Sequence, residues 1–409
     1  MEEWKKAINF YNRDGFELHQ FVVGTSFGSP LMQFLPINCA GLHLYSKESG
    51  VGKTTAMAAG VSVWGRPEDL IIHERDTFNT KMNRGEVYHN LPLYMDELTN
   101  TSSRELSNIA YQLTGGRQRG RMTSGSNTER HRGEAWRLLA VTTGNTSIIE
   151  RISMTKAMPK AEAQRILECR VKKIHFETKE ETDIFSAAIQ ENYGHAGKEY
   201  VQYIMNNIEA VKKLLSNVQQ RVDEMAGLTA ENRFWSVLVS ATVTGLLIAK
   251  KIELIDYDCV KVFNWGIAQL KENKRQVEDM NVSVEEVLND FIHEHWSNVL
   301  WIKSTDDLRK QHDIDNDSLI IPEAVPRGKL VARYETDLKR VYLLPKPLRM
   351  WCGEQQINYN SFVHDLQTKL GATKSKMRLS KGTHMSLPVA HVIVVDCSIE
   401  RKNDDTKDL

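Results

Sequence analysis

The sequence predicts an α/β protein: a P-loop core around a mostly parallel sheet, then a helical subdomain, then a small α+β module. Three observations lead there. Short apolar runs at 42–45, 70–72, 91–95, 138–143 and 166–171 alternate with helical segments, as strands joined by crossover helices do. The first run leads directly into Lys47-Glu48-Ser49-Gly50-Val51-Gly52-Lys53-Thr54-Thr55, a glycine-rich turn that opens a helix. From about 181 to 280 the apolar spacing is helical throughout, with Gly194, Gly197 and Gly227 as expected breaks.

A chain of 409 residues has room for two or three domains. The 53 Lys and Arg balance the 53 Asp and Glu, so no global field draws the chain to nucleic acid; such binding has to come from local patches. Cys39, Cys169, Cys259, Cys352 and Cys397 are scattered without CxxC spacing, which argues against a disulfide framework or zinc site and for a reducing compartment. The polar start, Met1-Glu2-Glu3-Trp4-Lys5-Lys6, does not read as a signal peptide. The longest uncharged apolar stretch, 235–249, is fifteen residues, short for a membrane span and suited to a buried helix. The expectation is a soluble, intracellular protein without a membrane.

Along the chain the expected divisions are an N-terminal helical segment or collar (1–39), the core (40–180), the helical subdomain (181–302, ending in a helix over 282–302) and a linker (303–328) with a turn-rich hinge at 322–328. The module at 329–397 reads as a strand pair (330–334, 340–344), two helices (345–355, 359–370) and two strands (376–379, 389–395), an order compatible with a winged helix. The tail 398–409 reads as disordered.

The loop at 47–54 brings backbone N–H groups together on phosphate; Lys53 adds a point charge and the Thr54 hydroxyl is a ligand for Mg²⁺. Lys47 stands where the P-loop pattern has its first glycine. About forty residues on, Leu91-Pro92-Leu93-Tyr94-Met95 ends in Asp96-Glu97. A carboxylate at a strand end holds Mg²⁺ through water, and the next one polarises the attacking water. A third run, Leu138-Leu139-Ala140-Val141-Thr142-Thr143, ends at Gly144-Asn145, placing the Asn145 amide toward the γ-phosphate if this strand lies beside the Asp96 strand.

In that order and spacing the three elements resemble superfamily 3 helicases, the hexameric AAA+ replication helicases of small viruses, phages and plasmids. Asn192-Tyr193-Gly194-His195-Ala196-Gly197 and Arg233-Phe234 resemble more closely the helicase part of phage and plasmid primase-helicases, a likeness over roughly residues 20–280. The resemblance implies an AAA+ core that hydrolyses ATP with Mg²⁺. Gly50, Val51, Gly52, Lys53, Thr54 and Thr55 then cradle the nucleotide, Asp96 and Glu97 form the acidic pair and Asn145 is the sensor. It implies that Arg165, just before the last core strand, reaches a neighbouring subunit's nucleotide, with Arg151 and Arg170 as competitors. Arg233 is a candidate second sensor. It further implies a homo-hexamer, single-stranded DNA as the track, a primase or other replisome proteins as partners, and a phage or mobile element in a bacterial cytoplasm.

From 115 to 137 six arginines face two glutamates. The stretch Gly115-Gly116-Arg117-Gln118-Arg119-Gly120-Arg121, continuing to Arg130 and Arg132, occupies the place of the family's pore hairpin. On a strand Arg119 and Arg121 share one face. Such a hairpin contacts phosphates with little sequence preference; lining the subunit interface is the other reading. From 326 to 385 twelve Lys and Arg face four Asp and Glu, fitting either DNA binding or a solvated protein-docking module. Two other functions fit the motifs: an AAA+ ATPase that remodels or loads a protein, and a DNA-binding initiator switched by nucleotide.

Overall fold

The computed structural model describes residues 1–48, 50–120, 122, 125, 128, 133–155, 159–173, 178–279, 283–304, 322–355, 357–383 and 386–398. They divide into two compact units, one made of the described residues from 1 to 279 and the other of those from 283 to 398.

Four parallel strands form the sheet of the first unit: β1 (Cys39–Tyr45), β2 (Leu93–Met95), β3 (Leu138–Gly144) and β4 (Ile166–Arg170), in the order β2-β3-β1-β4. The register sets Tyr45 beside both Gly144 and Arg170, so these strands end level and their outgoing loops share one edge. Both faces of the sheet are covered, which is why its strands read as unbroken apolar runs. Leu42, Leu44, Leu139 and Val141 join one core with the helices Glu17–Gly28 and Arg233–Lys251. Leu93, Met95, Leu138 and Ala140 join another with the helices Phe78–Tyr88 and Ser103–Gly115.

The expected strand at 70–72 is reduced to one residue. Pro67 starts a helical turn that consumes Leu70, leaving Ile72 alone to bridge Met95 in parallel. Ile72 donates to Tyr94 O at 2.9 Å and accepts from Asp96 N at 2.8 Å.

Residues 1–39 do not stand apart as a collar. Trp4 and Ile8 are fully buried in the sheet's own core, and Trp4 Nε1 donates to Ser62 Oγ at 2.9 Å. The helix Glu17–Gly28 crosses Arg233–Lys251 with a glycine on each side. A Cβ on Gly28 would lie 2.7 Å from the Ala241 carbonyl, and one on Gly245 would lie 2.6 Å from Gly28 N. Backbone touches backbone there. By length and composition Ala230–Lys251 would pass for a membrane span, yet 83% of its apolar window is buried inside the fold.

Beyond β4 come the helices Lys179–Glu191, His195–Asn206, Ile208–Ala226, Arg233–Lys251 and Cys259–Asp279. Gly197 is not a break: it lies inside His195–Asn206, where a Cβ would come within 2.5 Å of the Trp64 ring. The last of these helices seals the open edge of β4. The Asn273 amide accepts from Glu168 N at 3.0 Å and donates to Glu168 O at 2.8 Å, substituting for a missing neighbour strand.

The second unit contains a mixed sheet of β5 (Val299–Ile302), β6 (Ala332–Glu335), β7 (Arg340–Leu343), β8 (Thr373–Met377) and β9 (Ala390–Asp396), ordered β5-β6-β7-β9-β8. The helices Val284–Glu294, Pro345–Glu354 and Tyr359–Lys369 cover it with Phe291, Leu348, Trp351, Phe362 and Leu366. Residues 283–302 therefore belong here and not to the helical subdomain. The helix expected over 282–302 stops at Glu294, and Val299-Leu300-Trp301-Ile302 pairs in parallel with β6. A four-residue apolar run suits either state, and the ladder decides it. The linker residues 305–321 and the tail 399–409 lie outside the described residues.

Candidate active site

The loop between β1 and the helix Lys53–Val61 is anchored from within. Val51 is buried in the core, and Gly50 and Gly52 take positive φ of 70° and 88°. Gly52 caps the helix without a side-chain acceptor, leaving its first N–H groups for an anion. Outside glycine, the described residues at positive φ are His89, Glu97, Glu253 and Lys339. Lys47 is not among them, so its position makes no demand for glycine.

Strand order brings the three motifs together. Lys53 Nζ donates to Ser46 O (3.0 Å), Gly144 O (2.9 Å) and Asn145 Oδ1 (3.2 Å). Partial burial lowers the pKa of this ammonium, and the Glu97 and Asp96 carboxylates partly offset the effect. Thr54 Oγ1 donates to Asp96 Oδ2 at 3.3 Å. Thr143, not singled out by the sequence, joins the acids: its hydroxyl donates to Asp96 Oδ1 at 2.5 Å and accepts from Glu97 N at 2.9 Å. Asn145 Nδ2 faces Glu97 Oε1 at 3.5 Å, and Asn145 N donates to Thr99 Oγ1 at 2.9 Å.

Glu97 itself has φ 57°, a left-handed conformation that costs a non-glycine residue about 1–3 kcal/mol. Bonds on either side hold it: Asp96 N to Ile72 O, and Leu98 N to Thr143 O at 2.8 Å. The one-residue bridge at Ile72 thus helps to aim the carboxylate. Thr54 and Asp96 supply only hard oxygen donors. Among the described residues no cluster of three or more His, Cys, Asp or Glu could hold a metal. A hydroxyl and a carboxylate fit Mg²⁺, which keeps waters and takes its remaining ligands from phosphates.

His43 braces the Asn145 turn from below. Its Nε2 lies 3.1 Å from Thr146 O and its Nδ1 lies 2.8 Å from Thr142 Oγ1, so a neutral ring protonated at Nε2 satisfies both. Burial pushes its pKa down to about 4, and does the same to His19, which backs Gly52. Between pH 6.5 and 4 the unfolded chain binds protons at these rings that the folded chain refuses. Their contribution is therefore whole above 6.5 and lost as pH falls toward 4. Glu168 works the other way, since burial raises its carboxyl to about 7. His43→Gln keeps both partners and cannot titrate. Thermal unfolding at pH 7.5 and 5 should show a smaller acid loss in this variant than in the parent, the difference approaching ~3 kcal/mol at pH 4.

Arg165 and Arg233 lie elsewhere. Arg165 precedes β4, at the opposite end of the sheet from the phosphate loop, about 16 Å away along five strand residues. Its guanidinium sits 4.3 Å from the Tyr111 ring centroid and 5.4 Å from that of Phe234, and Nη1 donates to Ala161 O. Arg233 is exposed and lies 5.2 Å over the same Phe234 ring. It shares the Arg165 end and does not reach its own chain's phosphate loop, so a sensor role toward that loop does not fit. The reason is helix direction: Trp235 Nε1 donates to Ala163 O and Ile166 O, pinning the start of Arg233–Lys251 below β4. Arg151 is tied to the carbonyls of Leu98 and Thr99, and Arg170 ends β4 beside Tyr45.

Arg117 and Arg119 are exposed but lie on no strand, and Arg119 Nη2 donates to Asn108 Oδ1 at 3.0 Å, back onto the helix Ser103–Gly115. Arg121, Arg130 and Arg132 lie outside the described residues, as do most positions from 121 to 132.

Residues 1–132 match the model of a family described as a domain of unknown function, DUF927. Among solved structures the chain is similar to one titled "SCCmec type IV Cch - active helicase", with 16% identity, a TM-score of 0.61, and 97% of this chain and 70% of that one covered. The chain has the fold of that helicase. No curated protein matches the sequence.

Proposed function

We propose that the protein is an ATP-driven translocase of the superfamily 3 helicase type, assembled as a ring, a hexamer, and moving on single-stranded DNA in the replication of a phage or mobile element. The observation that carries the reading is the convergence of Lys53, Thr54, Asp96, Glu97 and Asn145 at the carboxyl edge of the sheet, with the Thr143 hydroxyl tying Asp96 to Glu97. The similarity to a structure titled as a helicase supports it.

On this reading Lys53 and the N–H groups after Gly52 grip the β- and γ-phosphates. Thr54 directly and Asp96 through water would hold Mg²⁺, which would supply charge neutralisation at the phosphates. Glu97 accepts a proton from the attacking water, and Asn145 orients the carboxylate. Arg165 comes from the neighbouring subunit, since its own loop is out of reach. The second unit, with its helix, strands, two helices and two strands in succession, reads as a winged-helix-like module.

ATP hydrolysis with and without single-stranded DNA, at low and moderate salt, tests the proposal beside Arg119→Ala/Arg121→Ala. Stimulation that fades with salt and disappears in the double variant is the expected result. One competing reading is a protein-remodelling ATPase in which DNA binding is incidental. Turnover indifferent to DNA would establish that reading instead.

A further inference from the structure

Arg333 on β6 is 0% exposed and Glu335, two residues on, is 4% exposed. They form an ion pair at 2.9 Å, and Tyr342 Oη donates to the second carboxylate oxygen at 2.8 Å. A buried guanidinium is costly unless its donors are employed. One of its arms leaves the pair: Nη1 donates to Leu379 O at 2.9 Å and to Lys381 O at 2.6 Å. Those carbonyls belong to the turn that follows β8. Ser380, also buried, tightens the same turn by accepting from Leu387 N at 2.9 Å and from Thr383 Oγ1 at 2.8 Å.

The held turn adjoins a row of cations. Between Asp365 and Asp396 the sequence has no acidic residue but contains Lys369, Lys374, Lys376, Arg378 and Lys381. Lys374, Lys376 and Arg378 alternate along β8 and its continuation, so they share a face about 7 Å apart. These three and Lys381 are exposed. Among the described residues the nearby ion pairs are Lys369–Asp365, Arg340–Asp396 and Arg333–Glu335, and the four take part in none of them. β8 is an edge strand, and lysines on an edge also discourage strand pairing between molecules. That accounts for Lys374 and Lys376. It does not account for a buried arginine fixing the adjoining turn.

The geometry points to a second nucleic-acid contact: Lys374, Lys376, Arg378 and Lys381 bind the phosphodiester backbone, and Arg333 is the residue that positions them. The inference rests on the translocase reading and assigns the second unit its ligand. The test is fluorescence anisotropy of the full-length protein with a labelled 20-mer, as duplex and as oligo-dT, over a salt series. Lys376→Ala/Arg378→Ala should weaken binding and lower the slope of log K against log salt by about 1.8 for duplex or about 1.4 for single strand, and the probe that responds identifies the backbone form. Arg333→Lys removes no surface cation and cannot span the carboxylate and both carbonyls, so it too should lower the slope. An unchanged slope in the surface double variant on both probes would overturn the site. A parental slope in Arg333→Lys would overturn the positioning role. Failure of the translocase reading shows separately, as ATP turnover indifferent to single-stranded DNA.

Discussion

Glu97→Gln is expected to bind ATP as the parent does and to lose turnover by about 10²–10⁴-fold, the range for removing a positioned general base. The amide fills the same space, keeps the backbone at φ 57° and accepts no proton. Lys53→Ala should fail a step earlier. Its ammonium faces the oxygens of Ser46, Gly144 and Asn145, at the point where the phosphate loop meets the end of β3. Losing a charged donor there should weaken ATP binding by about 3 kcal/mol, over a hundredfold. Binding of a fluorescent ATP analogue, measured beside phosphate release, separates the two variants. Normal hydrolysis by Glu97→Gln would move the base to another residue.

Gly28→Ala is expected to have the largest effect on stability. The added methyl would lie 2.7 Å from the backbone of Ala241, which cannot swing aside as a side chain can. Two helices would have to separate, at a cost of about 3 kcal/mol, roughly 6–12 °C in melting temperature for a unit of this size. Gly115→Ala, where nothing lies within 4 Å, is the control and should be neutral or slightly stabilising. Equal melting temperatures for the two variants would show that the helix crossing yields readily.

The pattern of what the sequence disclosed has physical causes. Strands buried on both faces are mostly apolar, so β1, β3 and β4 were legible as runs despite His43, Thr142, Thr143 and Glu168, and parallel order puts the residue after each run on one edge. Lys53, Asp96, Glu97 and Asn145 could therefore be grouped before any coordinates. Thr143 could not, because its two bonds depend on the register of β3 against the residues after β2. His43 shows why a lone histidine in a strand is silent: only the fold reveals Thr142 and Thr146 around it. Where Arg233 lies could not be read, because a motif does not give the direction of its helix, which the Trp235 indole settles. Residues 299–302 failed as a helix because their partner strand lies thirty residues on, beyond the reach of local pattern.

The phosphate loop and Arg165 sit at opposite ends of the same sheet. On the reading proposed above, each chain then has a socket at one end and a plug at the other. The joint between subunits is head-to-tail and uses two different surfaces, so association has a direction and every added subunit presents a fresh socket. Whether such a chain of subunits closes or winds on indefinitely depends only on the rotation at each joint, and a substitution that shifts that angle by a few degrees would convert a ring into a filament with every residue of the catalytic site intact.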